Sequence, residues 1–152
     1  MPKVLPACKD VHSEMVWWKY DGEHKDGNRE TILAEAFNTI IAVCHIEAAL
    51  WWVDPHTGEP KDRNYGELIA LAHSELSESL EGYRKSLSDD KLPQYPMWLV
   101  ELIDTIIRLG DTIGALSGGI NPGQVFVDKI MFNAKRADHK PENRILPGGK
   151  AF

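Results

Sequence analysis

The chain has 152 residues, 43% hydrophobic and 26% charged, the length and balance of one soluble globular domain rather than of a disordered segment or two independent modules. A net charge of −6 weighs against a nucleic-acid polymer as partner, since such binders neutralise many phosphates with cations. No apolar run reaches the roughly 20 residues of a membrane span: His45 and Glu47 interrupt the richest one, Thr39 to Val53, and no signal core opens the chain, so no membrane contact and a cytoplasmic location are expected.

In chain order, residues 1–27 read as an irregular arm, with Trp17 and Trp18 followed by the polar stretch Asp21 to Gly27. From Arg29 to Trp52, Leu33, Phe37, Ile40, Cys44, Ala48 and Trp51 recur at helical spacing without Gly or Pro, which predicts a first helix. Val53 to Arg63 carries Asp54-Pro55, Thr57-Gly58 and Pro60, a loop signature. Asn64, three residues before Glu67, resembles a capping box and opens a second helix running to about Lys85. A third helix is expected from Met97 to the stop at Ser117-Gly118-Gly119. Asn121-Pro122 suits a cap and first turn, launching a fourth helix from about Gly123 to Ala137. Residues 139–152, with Pro141, Pro147 and Gly148-Gly149, read as an extended tail. Four amphipathic helices over a domain at 28–138 make an all-α four-helix bundle the economical architecture. Cys8 and Cys44 lack Cys-x-x-Cys spacing and are expected to be reduced and inert.

The acids sit in unusual places. On the second helix Glu75 falls inside the apolar arc of Leu68, Leu71, Ala72, Leu76, Leu80 and Tyr83, Glu78 lies on its margin, and Glu81 faces away. On the third, Glu101, Asp104, Thr105, Arg108, Asp111 and Thr112 form a narrow polar stripe fenced by apolar residues on both sides. An unpaired buried carboxylate is costly and needs a cation or donor. On the fourth, Lys129, Asn133 and Arg136 share a stripe at spacings of four and three. Carboxylates on two helices, with cations and an amide on another, suit a cation bound to an anion, and Mg²⁺ with a polyphosphate is the obvious pair.

Blander explanations compete. With 23 acids in the chain, roughly three or four acid-x-x-acid pairs arise by chance, so it is their placement on apolar arcs that singles out Glu75/Glu78 and Glu101/Asp104. Lys129 and Arg136 alone equally suit snorkelling cations near a helix C-terminus. Trp51, Trp52 and Trp98 are more simply core than base-stacking platforms. His45, His73 and His139 show no shared metal spacing and read as structural or solvent-facing. A di-iron bundle is excluded because no Glu has a His three residues later, and no P-loop or dinucleotide glycine motif occurs.

Glu75-x-x-Glu78, 22 intervening residues, then Glu101-x-x-Asp104 resembles the metal motif of the MazG-like, all-alpha nucleoside triphosphate pyrophosphohydrolases. Ser74 to Lys85 is similar to that family's second helix and Glu101 to Asp111 to its third. Lys129, Asn133 and Arg136 match a Lys/Asn/Arg pattern frequent in phage members, whose tail Gly148-Gly149-Lys150 resembles. Ser74 stands where the fuller family motif has the first of two adjacent acids. Size and tail are similar to the MazZ-type phage members, which act on deoxyguanosine or guanosine triphosphate.

The resemblance implies hydrolysis of a nucleoside triphosphate to the monophosphate and pyrophosphate with Mg²⁺ or Mn²⁺. It further implies a homodimer, or a homotetramer built from dimers, with the pocket shared between neighbouring subunits, and for a phage protein the host cytoplasm. Glu75, Glu78, Glu101 and Asp104 would be catalytic metal ligands; Lys129, Asn133, Arg136 and Arg108 would bind substrate. Water attack at the α-phosphorus would expel pyrophosphate without a covalent intermediate, one carboxylate accepting the water's proton. The competing expectations are a non-catalytic helical oligomer or assembly factor, with Glu101 and Asp104 in interhelical salt bridges to Lys129 and Arg136, and a regulatory module that binds nucleotides without cleaving them.

Overall fold

The computed structural model describes residues 28–136; the expected N-terminal arm at 1–27, the tail at 139–152 and Cys8 lie outside the described residues. The described chain is all-helical: α1 (Asn28–Glu47), α2 (Tyr65–Lys85), α3 (Met97–Leu116) and α4 (Pro122–Lys135), with a 3₁₀ turn at Ala49–Trp52. Among the described residues β pairing is limited to isolated bridges between Val53 and Pro60 and between Ser88 and Pro96. No described helix is long and apolar enough to cross a membrane.

Local signals set most boundaries. The Asn64 side chain accepts from the Glu67 backbone N–H at 3.2 Å, satisfying one orphan donor of the first turn of α2. Asn121 does the same for Gln124 at the start of α4, at 3.2 Å, with Pro122 in the first turn. Gly118 and Gly119 follow α3 with φ of 58° and 88°, a left-handed turn that L side chains resist. Two ends differ from expectation. The first helix stops at Glu47 instead of continuing to Trp52, because the chain tightens through Ala48 (φ −91°, ψ 1°) into the 3₁₀ turn. The fourth ends at Lys135, with Arg136 already extended at ψ 129°.

The helices pack in the spatial order α2, α3, α1, α4: α3 lies against both α2 and α1, and α4 against α1. Small residues let these contacts close. A Cβ at Gly110 would meet Cys44 Sγ at 2.8 Å and one at Gly114 would meet His45 Cβ at 2.6 Å, so the α1–α3 contact depends on bare backbone. At α4 the approach is backbone to backbone, since a Cβ on Gly123 would stand 2.2 Å from the Ala34 carbonyl oxygen. Asn38 of α1 locks this contact, accepting from Gly123 N–H at 2.7 Å and donating to Asn121 Oδ1 at 2.9 Å. Phe37 stacks on Phe126 beside it, centroids 4.2 Å apart.

Among the described residues the core is thin: Ala34, Ile41, Cys44, Leu68, Ala72 and Val127 are the buried apolar residues, and no large side chain is fully buried. On α3 the buried positions are Glu101, Thr105, Gly110, Asp111 and Thr112, while Ile103 is 47% and Ile106 52% exposed. The polar stripe thus faces the neighbouring helices and the apolar arc faces out, a reversal of ordinary helix patterning within one chain. Trp51, expected in the core, is also exposed.

Gly123→Ala should therefore destabilise the fold by about 2 kcal/mol or more, through overpacking against rigid backbone. Helix propensity alone would make the same change stabilising by up to about 1 kcal/mol. Urea denaturation reads the sign, and a stabilised variant contradicts the tight α1–α4 contact.

Candidate metal centre

Glu75 is placed by the apolar arc of α2. Leu68 and Ala72, two turns and one turn earlier, are buried against the layer, and the same face carries Glu75 into the α2–α3 contact, where it is only 7% exposed. Ser79, one turn on, is also buried, and its Oγ donates to the Trp98 carbonyl at 2.8 Å, pinning α2 to the first turn of α3. That pin sets the register bringing Glu101, 8% exposed, opposite Glu75. Glu78, on the margin of the arc, is exposed. One carboxylate oxygen from each of Glu75, Glu78 and Glu101 lies within 4.8 Å of the other two.

Three acids this close cannot all ionise cheaply in a dehydrated contact. Burial pushes the Glu101 carboxyl up to about 7, helped by a hydrogen bond with Glu75 and by the charges of Glu78, Glu75 and Asp104. The remaining charge is met in part by Arg108, whose Nε–H donates to Glu75 Oε1 at 2.5 Å. Glu75 is thus held by a cation from α3 while Glu101 tends to keep its proton. A divalent ion would do both jobs at once, and all-oxygen carboxylate donors are the set that hard cations such as Mg²⁺ and Mn²⁺ favour. The donor set fits such an ion.

The other expected site residues are distributed more widely. Asp104 is exposed and stands outside the converging triad, although its charge reaches Glu101. Arg108 faces Glu75. Lys129 is exposed, its Nζ 5.1 Å from the Phe132 ring centroid. Asn133 is half-buried, with a buried Oδ1 that accepts no hydrogen bond among the described residues. Arg136 is half-buried at the end of α4. Because α4 packs on α1, these three residues are not gathered around the acids of α2 and α3 within the chain.

A second polar cluster joins α1 to α3 nearly three turns beyond Glu101. Asp111, 6% exposed, accepts at Oδ1 from His45 Nδ1 and from Trp52 Nε1, both at 2.8 Å. Arg63 lies over the Trp52 ring at 5.5 Å. Asp111 stands on the polar stripe of α3, but nothing in helical periodicity pairs it with His45; only the tight turn after Glu47 brings Trp52 round to meet it. The available signal was a buried acid requiring donors.

No known family model, characterised protein or solved structure matches the chain.

Glu101 holds its proton more tightly folded than unfolded, where its value is 4.5. Its contribution is fully present below about pH 4.5 and is lost as pH rises to about 7. Without metal, stability should fall over that window by on the order of 3 kcal/mol more in wild type than in Glu101→Gln. Urea titrations at a series of pH values test this; parallel profiles contradict the shared-proton account.

Proposed function

We propose that the protein is a metal-dependent nucleoside triphosphate pyrophosphohydrolase of the MazG-like, all-alpha type, releasing pyrophosphate and a nucleoside monophosphate. The observation that carries this reading is the convergence of Glu75, Glu78 and Glu101 from two helices, with ligand oxygens within 4.8 Å of one another. Their spacing in the sequence is that of the family's metal motif, and the all-helical architecture agrees with its fold. A (d)GTP preference follows from the likeness in size and tail to the MazZ-type members.

In this reading Glu75, Glu78 and Glu101 hold Mg²⁺ or Mn²⁺, with Asp104 at the rim. The bound ion supplies charge neutralisation at phosphate oxygens and acidifies the attacking water. The chain's own groups bind, orient and move the proton. Asp104, exposed and outside the converging triad, would in this reading take the water's proton. Arg108 and the α4 residues Lys129, Asn133 and Arg136 bind the triphosphate and stabilise charge on the departing pyrophosphate.

This assignment requires more than one chain. α4 packs on α1, so its cations stand away from the acids of α2 and α3, and a neighbouring subunit would bring them to the substrate. Leu76, Leu80, Tyr83, Ile103 and Ile106, all more than 40% exposed, supply the apolar surface on which a dimer, or a tetramer of dimers, closes. The four-helix bundle of the family is then completed between copies.

One observation favours the non-catalytic reading. Arg108 and Glu75 already form an interhelical ion pair, as an assembly factor stabilised by internal salt bridges would.

Activity separates the two. Incubation with the eight common nucleoside triphosphates and Mg²⁺ or Mn²⁺ should release pyrophosphate, and Glu78→Gln should lower the rate by at least about a hundredfold with unchanged helical circular dichroism. Absence of metal-dependent release from every nucleotide favours the assembly reading, and full activity of Glu78→Gln removes the metal site.

A further inference from the structure

We propose that Arg108 is the resident counter-ion of the acid cluster: a divalent cation displaces it from Glu75, and the displaced guanidinium passes to the phosphates of the substrate. The inference rests on the reading of Glu75, Glu78 and Glu101 as a metal site and adds a handover that couples metal to anion.

The geometry gives Arg108 and an incoming ion the same ligand. Arg108 Nε donates to Glu75 Oε1 at 2.5 Å, and Glu75 is one of the three acids whose oxygens converge within 4.8 Å. An ion held by all three would draw on the Glu75 carboxylate and place a second cation against the guanidinium. Both cannot keep their full interaction, because like charges at such separations repel strongly in a partly dehydrated contact. Glu75 is nearly buried, whereas the Arg108 side chain is 43% exposed. The arginine is the partner free to swing.

Arg108 also has donors to spare. A guanidinium carries five N–H groups in a planar fork, and the bond to Glu75 uses Nε alone. Arg108 and Arg63 border one cavity of about 30 Å³ between α2 and α3. Asp111 borders it too, but its Oδ1 is already engaged by His45 and Trp52. The cavity is about the size of one water, so a phosphate would meet the two arginines at its mouth, and a planar fork suits phosphate oxygens better than an ammonium.

The consequence is linkage. An ion entering alone must break the Arg108–Glu75 pair, and an anion entering alone takes Arg108 from acids that then lose their counter-charge. Metal and triphosphate entering together incur neither cost, so each raises the affinity for the other by the same factor. The chain therefore takes its substrate as the metal complex and holds free metal weakly.

Mn²⁺ binding to the full chain, followed by the electron paramagnetic resonance signal of free Mn²⁺ without nucleotide, tests the competition. Arg108→Gln should bind Mn²⁺ about tenfold more tightly than wild type, and Glu78→Gln should lose that binding in both backgrounds. Equal or weaker binding by Arg108→Gln, with Glu78-dependent binding retained in wild type, overturns the handover and leaves the metal site standing. No binding by either protein overturns both. The wild type gives an independent readout should the variant fold poorly: the ¹⁵N-edited resonance of Arg108 Nε–H should shift in step with Mg²⁺ occupancy, and an unchanged resonance at saturation overturns the proposal.

Discussion

The α2–α3 contact is governed by the repulsion among three carboxylates that it draws together. Glu75 and Glu101 are each less than a tenth exposed and face one another across the contact, with Glu78 at its edge. Hydrophobic burial usually dominates a helix interface, and Leu68 and Ala72 supply some of it here, yet the buried polar residues Glu75, Ser79 and Glu101 share the contact. Its cohesion comes from a retained proton on Glu101, the Arg108 guanidinium, and the Ser79 hydroxyl on the Trp98 carbonyl. Each is the kind of partner a buried polar group requires. A divalent ion held by the carboxylates of Glu75, Glu78 and Glu101 would neutralise that repulsion in place of the proton and the guanidinium.

That arrangement explains the reversed patterning of α3. Its polar side must be inside for the acids to meet, which leaves Ile103, Ile106 and their neighbours on the outside of the single chain. Among the described residues no large side chain is fully buried, and in the proposed function this exposed apolar surface is where copies of the chain would meet. The same logic separates the roles of the helices. α2 and α3 carry the acids, α1 braces α3 through Cys44 and His45 against Gly110 and Gly114, and α4 docks on α1 through Phe126 and Gly123.

Much of this was legible in the sequence, for specific reasons. The bounds of α2 and α3 follow from the Asn64 cap, the Pro96 before Met97 and the two glycines after Ser117, all local features. The burial of Glu75 and the marginal place of Glu78 follow from their angles on the α2 wheel, since neighbours three and four apart share a face. What periodicity could not supply was pairing between helices. Periodicity turns the cations of α4 inward, whereas α4 packs on α1 and Lys129 is exposed. It left His45 without a partner and ran the first helix through Trp52, because the tight turn at Ala48 has no Gly or Pro to announce it. The Arg108–Glu75 pair was likewise hidden, although both residues had been placed on the correct faces.

In the proposed function α2 and α3 hold their acids together for a divalent ion. Anomalous diffraction from crystals soaked in Mn²⁺ tests it most directly. The account predicts one or more strong peaks bounded by carboxylate oxygens of Glu75, Glu78 and Glu101. A map without a peak there, with those side chains turned apart toward solvent, contradicts it.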